Sequence, residues 1–167
     1  WLPDRRSGIT WRFWQRYMTY LERDFGMPPT VVNSLHQLTD MILERLEEPT
    51  REGPWDRRGM VVGSVQSGKT ANYIGLINKA VDAGYQVAVL VPTTLLCEQH
   101  WRTFTERMAE FPFEIAALSR FATRRQQTAI IRRLEEGSLD IVIGTHRLAQ
   151  PDVRFHNLGL VVIDEEQ

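Results

Sequence analysis

The sequence predicts an α/β protein: a mostly parallel sheet with helices on both faces, preceded by a helical N-terminal segment. From about residue 60 onward, short runs of consecutive apolar residues alternate with longer segments of helical periodicity. Such runs are typical of strands buried on both faces, and their alternation with helices indicates parallel pairing. Before residue 50, apolar residues recur at three- and four-residue spacing, which indicates amphipathic helices. We therefore expect a helical segment over 1–50 and an α/β domain over 51–167.

Two helices are predicted in the N-terminal segment. The first spans 8–25 and ends at Gly26, and the second follows an N-cap at Thr30 and continues to about residue 48. We expect both apolar stripes to pack on the rest of the fold, although the aromatic stripe of the first helix could also dock a partner or stack on bases. The stripes are Trp11, Trp14, Tyr17, Met18, Leu21 and Phe25, and then Val31, Leu35, Leu38, Ile42 and Leu46.

The α/β domain is predicted to contain five strands and three helices. The apolar runs place the strands at 60–62, 86–91, 113–118, 140–143 and 158–163. The helices are expected near 69–83, 94–109 and 123–136.

Asn78, Lys79 and Asp82 superficially look like the N-K-x-D sequence that specifies guanine in GTPases. Their spacing is one residue too long, and they fall on the predicted helix 69–83. We therefore assign them to the helix surface, and the sequence does not support a GTPase.

Composition excludes several classes of protein. The chain has 167 residues, 43% of them hydrophobic and 25% charged, which is ordinary for a globular domain and unlike a disordered or fibrous chain. No apolar run is long enough to span a membrane, and no secretory signal is recognisable at the start. The single cysteine, Cys97, cannot form an internal disulfide, which fits a cytoplasmic protein. A net charge of −1 excludes a globally basic nucleic-acid coat, but not a local basic track.

A phosphate-binding loop is the strongest motif in the chain. Residues 63–70 match G-x-x-x-x-G-K-[ST], between a predicted strand and a predicted helix, the context that this Walker A motif requires. Backbone N–H groups of such a loop point at a phosphate, and the helix N-terminus adds partial positive charge. We expect Lys69 to contact the β- and γ-phosphates of ATP and Thr70 to ligate Mg²⁺. The expected nucleotide-binding residues are Gly63, Ser64, Val65, Gln66, Ser67, Gly68, Lys69 and Thr70.

Two carboxylates follow the last predicted strand. Asp164 and Glu165 come directly after the apolar run that ends at Ile163. In a parallel sheet the carboxyl ends of the strands form the edge where ligands bind. We expect Asp164 to hold Mg²⁺, and Glu165 to be catalytic together with Lys69 by orienting or deprotonating the attacking water.

From about residue 87 onward, the chain resembles the motor domain of transcription-repair coupling factors and RecG-type helicases of superfamily two. The resemblance lies in four segments whose order matches motifs Ia, Ib, Ic and II (Walker B) of those proteins: 89–96, 119–121, 143–148 and 158–167. It implies a RecA-like P-loop NTPase fold and an ATP-driven translocase on double-stranded DNA.

The same resemblance implies that motifs Ia, Ib and Ic contact the DNA backbone. Hydroxyls and free N–H groups at a strand-to-helix turn can bind a phosphate, and arginines at the same sheet edge add charge without reading bases. The residues expected to do so are Thr93, Thr94, Arg120, Thr145, His146 and Arg147.

The first 85 residues resemble a different family, the Z1-domain P-loop ATPases associated with endonucleases. This second resemblance lies in segments 55–63 and 65–73 and in the aromatic helix before them. We therefore predict a chimera-like junction near residues 84–87, with a divergent natural protein as the alternative. Both families place ATP on the same loop.

The chain ends three residues after Asp164. By resemblance, a motif III strand and a second motor lobe with an arginine finger would follow, so we expect a truncated motor lobe that hydrolyses ATP only weakly in isolation. Two alternatives to a translocase lobe remain open: a Z1-type ATPase module of a restriction system, and a nucleotide-gated binding module without useful hydrolysis.

Overall fold

The chain forms two structural units, residues 1–84 and 85–167. The computed structural model describes residues 1–48, 50–53, 58–60, 69–108 and 111–164. The predicted strand at 60–62 lies mostly outside these residues and stays a prediction, as does the division of the chain at residue 50. Within the described ranges, none of the helices is long and apolar enough to cross a membrane.

The first unit is helical. It contains α1 (Leu2–Arg5), a short 3-10 helix (Arg6–Gly8), α2 (Arg12–Arg23), α3 (Pro29–Arg45) and α4 (Lys69–Asp82). Helix α4 packs against both α2 and α3. Trp14, Tyr17 and Leu21 on the predicted stripe of α2 are buried, whereas Phe25 is exposed because the helix ends before it.

Helix α3 differs from the prediction in its start and in its buried face. Pro28 is the N-cap and Pro29 the first helical residue, so the predicted cap at Thr30 is wrong. Proline suits the first helical position because it has no backbone N–H, and an N–H there would have no partner within the helix. The buried residues are Val32, Leu35, Thr39 and Leu43: Leu35 belongs to the predicted stripe, and the other three each lie one residue after a predicted position. This face packs against α4, where a Cβ atom at Gly75 would lie 3.5 Å from the Thr39 methyl group.

Helix α4 buries residues that the sequence analysis assigned to the helix surface. Asn78 and Lys79 are both fully buried, and the Asp82 carboxylate accepts hydrogen bonds from the backbone of α2. The surface assignment is therefore wrong. It failed because α4 contacts other helices on two sides, so polar residues also face the interior.

The second unit is a four-stranded parallel sheet in the order β2-β3-β1-β4. The strands are β1 (Gln86–Leu90), β2 (Ile115–Leu118), β3 (Ile141–Gly144) and β4 (Leu158–Ile163). They agree with four of the predicted strands to within two residues at the ends. The central strands β1 and β3 are almost wholly buried, as their mostly apolar sequences require.

Helices cover both faces of this sheet. Helix α5 (Thr94–Arg107) connects β1 to β2, and α6 (Arg124–Glu136) connects β2 back to β3. The two connections cross the sheet in opposite directions, so right-handed crossovers place the helices on opposite faces. Leu134 of α6 packs with Ala88 and Val142, while the Cys97 thiol of α5 approaches the Ile143 carbonyl oxygen at 3.3 Å. The predicted fold class, a RecA-like α/β sheet preceded by helices, is confirmed.

Candidate nucleic-acid and nucleotide site

The carboxyl ends of the four strands lie in one row. Leu118 pairs with Gly144, Gly144 with Leu90, and Leu90 with Ile163. The residues that follow these four positions therefore emerge at one edge of the sheet. This is the edge at which open α/β sheets bind ligands.

A groove of about 330 Å³ lies at this edge. It is lined by residues that follow three different strands, and they include all six that the sequence analysis singled out for a nucleic-acid backbone. The lining residues are Pro92, Thr93, Thr94, Arg120, Thr145, His146 and Arg147. The structure thus brings these six together in one place, while their role stays a prediction.

The N-terminus of α5 forms one wall of the groove. Thr93 is its N-cap, and the Thr93 hydroxyl oxygen accepts a hydrogen bond from the Leu96 N–H at 3.2 Å. The hydroxyl hydrogen stays available to donate to an anion. The unpaired N–H groups of the first turn and the positive end of the helix dipole favour an anion at the same place.

Thr145 lines the groove as a largely buried residue. Only 7% of this residue is exposed, and it precedes the 3-10 helix His146–Ala149 without capping it through its side chain. In the portion of the chain covered by the structure, no hydrogen bond to the Thr145 hydroxyl is formed. The hydroxyl can therefore donate a hydrogen bond to a ligand oxygen in the groove.

The Arg147 guanidinium is held by two side chains. Its two terminal nitrogens donate to the Asp152 carboxylate at 2.7 and 2.6 Å, and its Nε donates to Gln127 Oε1 at 3.2 Å. The hydrogen bond with Asp152 raises the pKa of Arg147 and lowers the pKa of Asp152. Three of the five guanidinium N–H groups are therefore engaged, and two remain for a ligand.

Arg120 lies on a short exposed turn after β2. The turn is closed by a hydrogen bond from the Ala122 N–H to the Ser119 carbonyl oxygen at 3.1 Å. Among the ion pairs of the described ranges, none involves Arg120. It is therefore the groove's unneutralised guanidinium, in contrast to Arg147.

Only part of the predicted nucleotide site can be placed. Lys69 and Thr70 are exposed at the start of α4, whereas residues 63–68 and Glu165 lie outside the described residues. The Asp164 N–H donates to the Leu90 carbonyl oxygen at 3.0 Å, so the β4 pairing extends to this residue. The Asp164 carboxylate lies 3.3 Å from His100 Nε2 of α5. Across the described ranges, no cluster of three or more potential metal ligands is found.

Sequence reasoning missed three residues next to the candidate site: Gln127, Asp152 and His100. Asp152 follows Arg147 by five residues, a spacing that a pairing search could have tested. Gln127 and His100 lie on helices and meet the site only through the fold, so no local signal identified them.

The geometry defines a RecA-like α/β domain with a groove, lined by threonines and basic side chains, at the carboxyl edge of its sheet. The model of the DEAD/DEAH box helicase family matches residues 31–167, and the chain belongs to this family.

Within this family, the chain is similar to transcription-repair-coupling factors and to RecG. The chain is 50% identical over 149 residues to a transcription-repair-coupling factor of Mycobacterium bovis, covering 88% of this chain and 11% of that protein. It is 48% identical over 126 residues to the transcription-repair-coupling factor of Bacillus subtilis, covering 75% of this chain and 10% of that protein. The chain thus spans about a tenth of these relatives' length. A structure of RecG bound to a three-way DNA junction matches 60% of this chain and 14% of RecG, with 43% identity and a TM-score of 0.57.

The predicted junction near residues 84–87 is not supported. The helicase family model and the Mycobacterium relative both match continuously across these residues, so one family accounts for both sides. The boundary between the two structural units does fall after Gly84.

Proposed function

We propose that the chain is the ATP-binding first motor lobe of a superfamily-two translocase that acts on double-stranded DNA. The observation that carries this proposal is the groove at the sheet edge. It brings together two arginines, a histidine and three threonines from three separate segments. Relatives named as transcription-repair-coupling factors, and a RecG relative bound to a DNA junction, support the same assignment.

In this proposal the groove binds phosphates of one DNA strand. The α5 N-terminus and the hydroxyls of Thr93, Thr94 and Thr145 donate hydrogen bonds, Arg120 and Arg147 contribute charge, and the His146 ring offers a further polar contact. Donors of this kind position a backbone without reading base sequence. The affinity then depends on phosphate charge and falls as salt rises.

ATP binds to residues 63–70 in the same proposal. Lys69 and Thr70 open α4, a helix of 14 residues, so a phosphate there meets the helix dipole as well as the lysine charge. The Thr70 hydroxyl and the Asp164 carboxylate are hard oxygen donors of the kind that Mg²⁺ prefers. Bound Mg²⁺ would neutralise phosphate charge; Glu165 then orients the attacking water.

The test of ATP binding is thermal unfolding with and without Mg-ATP. At about 100 times the Kd, ligand binding stabilises the native state by about 2.7 kcal/mol, which raises Tm by about 5–10 °C for a chain of this size. Lys69→Ala should abolish the shift. Equal shifts in both proteins, or none in either, would contradict a working phosphate loop.

A second measurement separates a motor lobe from a nucleotide-gated binding module. We expect DNA to stimulate ATP turnover and Glu165→Gln to abolish that stimulation while ATP binding persists. An ATP turnover rate that changes neither with DNA nor with Glu165→Gln would favour the binding module.

A further inference from the structure

Gln127 of α6 connects the two segments that carry the arginines of the groove. Its side-chain Nε2 donates to the Ser119 carbonyl oxygen at 3.3 Å and to the Ala122 carbonyl oxygen at 2.9 Å. Its Oε1 accepts from Arg147 Nε at 3.2 Å. One amide thus joins the turn that carries Arg120 to the 3-10 helix that carries Arg147.

These partners fix the orientation of the amide. The two carbonyl oxygens can only accept, so they require the NH₂ group on their side, and the guanidinium can only donate, so it requires the oxygen on its side. A flipped amide would oppose donor to donor and acceptor to acceptor at all three contacts. A single orientation satisfies every partner, so the connection is rigid.

Asp152 completes the arrangement around Arg147. Asp152 accepts hydrogen bonds from the two terminal nitrogens, and Gln127 accepts one from Nε. The guanidinium group is therefore hydrogen-bonded on two of its sides. An arginine fixed in this way loses less rotamer entropy when it binds an anion than a free one does.

We infer that Gln127 is a positioning residue that sets the relative placement of Arg120 and Arg147, so that both guanidiniums engage phosphates of the same DNA backbone. This inference rests on the proposed function. Gln127 itself need not touch DNA: it acts through the two arginines, and its contribution disappears when the arginine it holds is removed.

A double-mutant cycle on DNA affinity tests the inference. The probe is a short fluorescently labelled DNA duplex, and the proteins are the wild-type chain, Gln127→Leu, Arg147→Ala and the double variant. Leucine keeps a similar size but removes all three hydrogen bonds. We expect Gln127→Leu to weaken DNA binding by about 3- to 10-fold, in line with coupling through a shared hydrogen-bond network. In the Arg147→Ala background the same substitution should cost less than about 2-fold.

Two controls isolate positioning from folding. Thr128→Ala alters the next residue of α6, whose hydroxyl only bonds the Arg124 carbonyl oxygen of its own helix, and should leave DNA affinity unchanged. Thermal unfolding of each variant shows whether Gln127→Leu remains folded at the assay temperature. If Gln127→Leu costs the same factor with and without Arg147, it acts through general stability and the inference is overturned.

The outcomes also separate the inference from the proposed function. Arg120→Ala and Arg147→Ala should each weaken binding more than Arg132→Ala, which removes an arginine on the exposed face of α6. If neither groove arginine matters more than Arg132, the proposed DNA groove is wrong. If both matter but Gln127→Leu does not, only the positioning role is wrong.

Discussion

Lys79 is a charged side chain withdrawn entirely from solvent. Its ammonium donates to Asp40 Oδ1 at 2.5 Å and to the His36 carbonyl oxygen at 2.8 Å, and it lies 4.3 Å from the centroid of the Trp14 ring. Arg6 donates to the other Asp40 oxygen at 2.7 Å. One carboxylate therefore compensates two cations, and breaking this arrangement by removing Asp40 would leave a buried charge without a counter-ion.

His36 must be neutral in this cluster. Burial lowers its pKa, and the charge of Lys79 lowers the pKa further. The neutral ring is consistent with Nδ1 accepting from Lys79 at 3.1 Å and Nε2–H facing Asp40 Oδ2 at 3.4 Å. The contact of Arg6 with Nε2 at 3.1 Å is then a close approach of two donors.

The buried ammonium makes stability depend on pH. Burial lowers the pKa of Lys79 from 10.5 to about 8. Between these values the native state has released the proton while the unfolded chain still holds it, so the free energy of unfolding rises as pH increases from about 8 to 10.5. We expect Lys79 to contribute a gain on the order of 3 kcal/mol over that range. The buried Cys97 thiol, whose pKa is raised to about 12, acts in the opposite direction above about pH 9, so urea unfolding is compared between the wild-type chain and a Lys79 variant.

Lys79→Met should remove this rise. Lys69→Met is the matched control, because it replaces the other lysine of the chain at an exposed position, and it should retain the rise. A rise that persists in Lys79→Met would assign the pH dependence to another group.

At the scale of elements, α2 begins without a capping side chain of its own. Its N-cap residue, Trp11, provides no side-chain hydrogen bond. The Asp82 carboxylate at the end of α4 accepts from the Phe13 N–H at 3.0 Å and the Trp14 N–H at 2.9 Å. A carboxylate at a helix N-terminus also interacts favourably with the dipole. The two helices therefore stabilise each other through one side chain, in addition to their apolar contact.

Asp82→Ala should lower the free energy of unfolding by about 1–2 kcal/mol, because two buried N–H groups lose their acceptor. Asp82→Asn, which keeps one acceptor oxygen, should recover part of the loss. Asp24→Ala is the matched control: this aspartate lies at the C-cap of the same helix, and its removal should change stability by less than about 0.5 kcal/mol. Chemical denaturation measures all three, and equal losses for Asp82→Ala and Asp24→Ala would contradict the capping role.

At the scale of the whole molecule, the charge balance predicts weak DNA binding with a shallow salt dependence. The net charge is −1, so the chain as a whole does not attract DNA, and binding depends on the groove. Of its two arginines, Arg147 is paired with Asp152 and Arg120 has no ion pair in the described ranges. Few phosphates are therefore neutralised.

We expect log Kobs to fall with log salt with a slope of about −1 to −2, because Arg120 contributes in full whereas Asp152 offsets part of the charge of Arg147. Arg120→Ala should make the slope shallower by about 1, while Arg132→Ala leaves it unchanged. Fluorescence anisotropy across a salt series provides the measurement. A slope that does not respond to Arg120→Ala would show that the neutralised phosphates lie elsewhere on the protein.

Sequence alone determined the features that depend on local chemistry. Apolar runs predicted β1 and β3 because strands buried on both faces are mostly apolar; the one polar residue of β1, Gln86, is buried with its side chain hydrogen-bonded. The resemblance to superfamily-two motors singled out the residues that meet in the groove, and parallel strands bring them together because their carboxyl ends lie at one edge of the sheet. The cap at Thr123 and the helix end at Gly137, which adopts a φ of 76°, follow local rules that sequence patterns express.

Tertiary structure decided which side chains face one another. The sequence placed Lys79 on a surface, because nothing local to α4 reveals that α3 brings Asp40 to it. In the sequence, Gln127 is one of several polar residues on a predicted helix. Its three hydrogen-bond partners lie up to 20 residues away along the chain. Local periodicity encodes how each segment folds, whereas hydrogen bonds between distant segments depend on packing geometry. The helices and strands were therefore predictable, and the network that holds the groove was not.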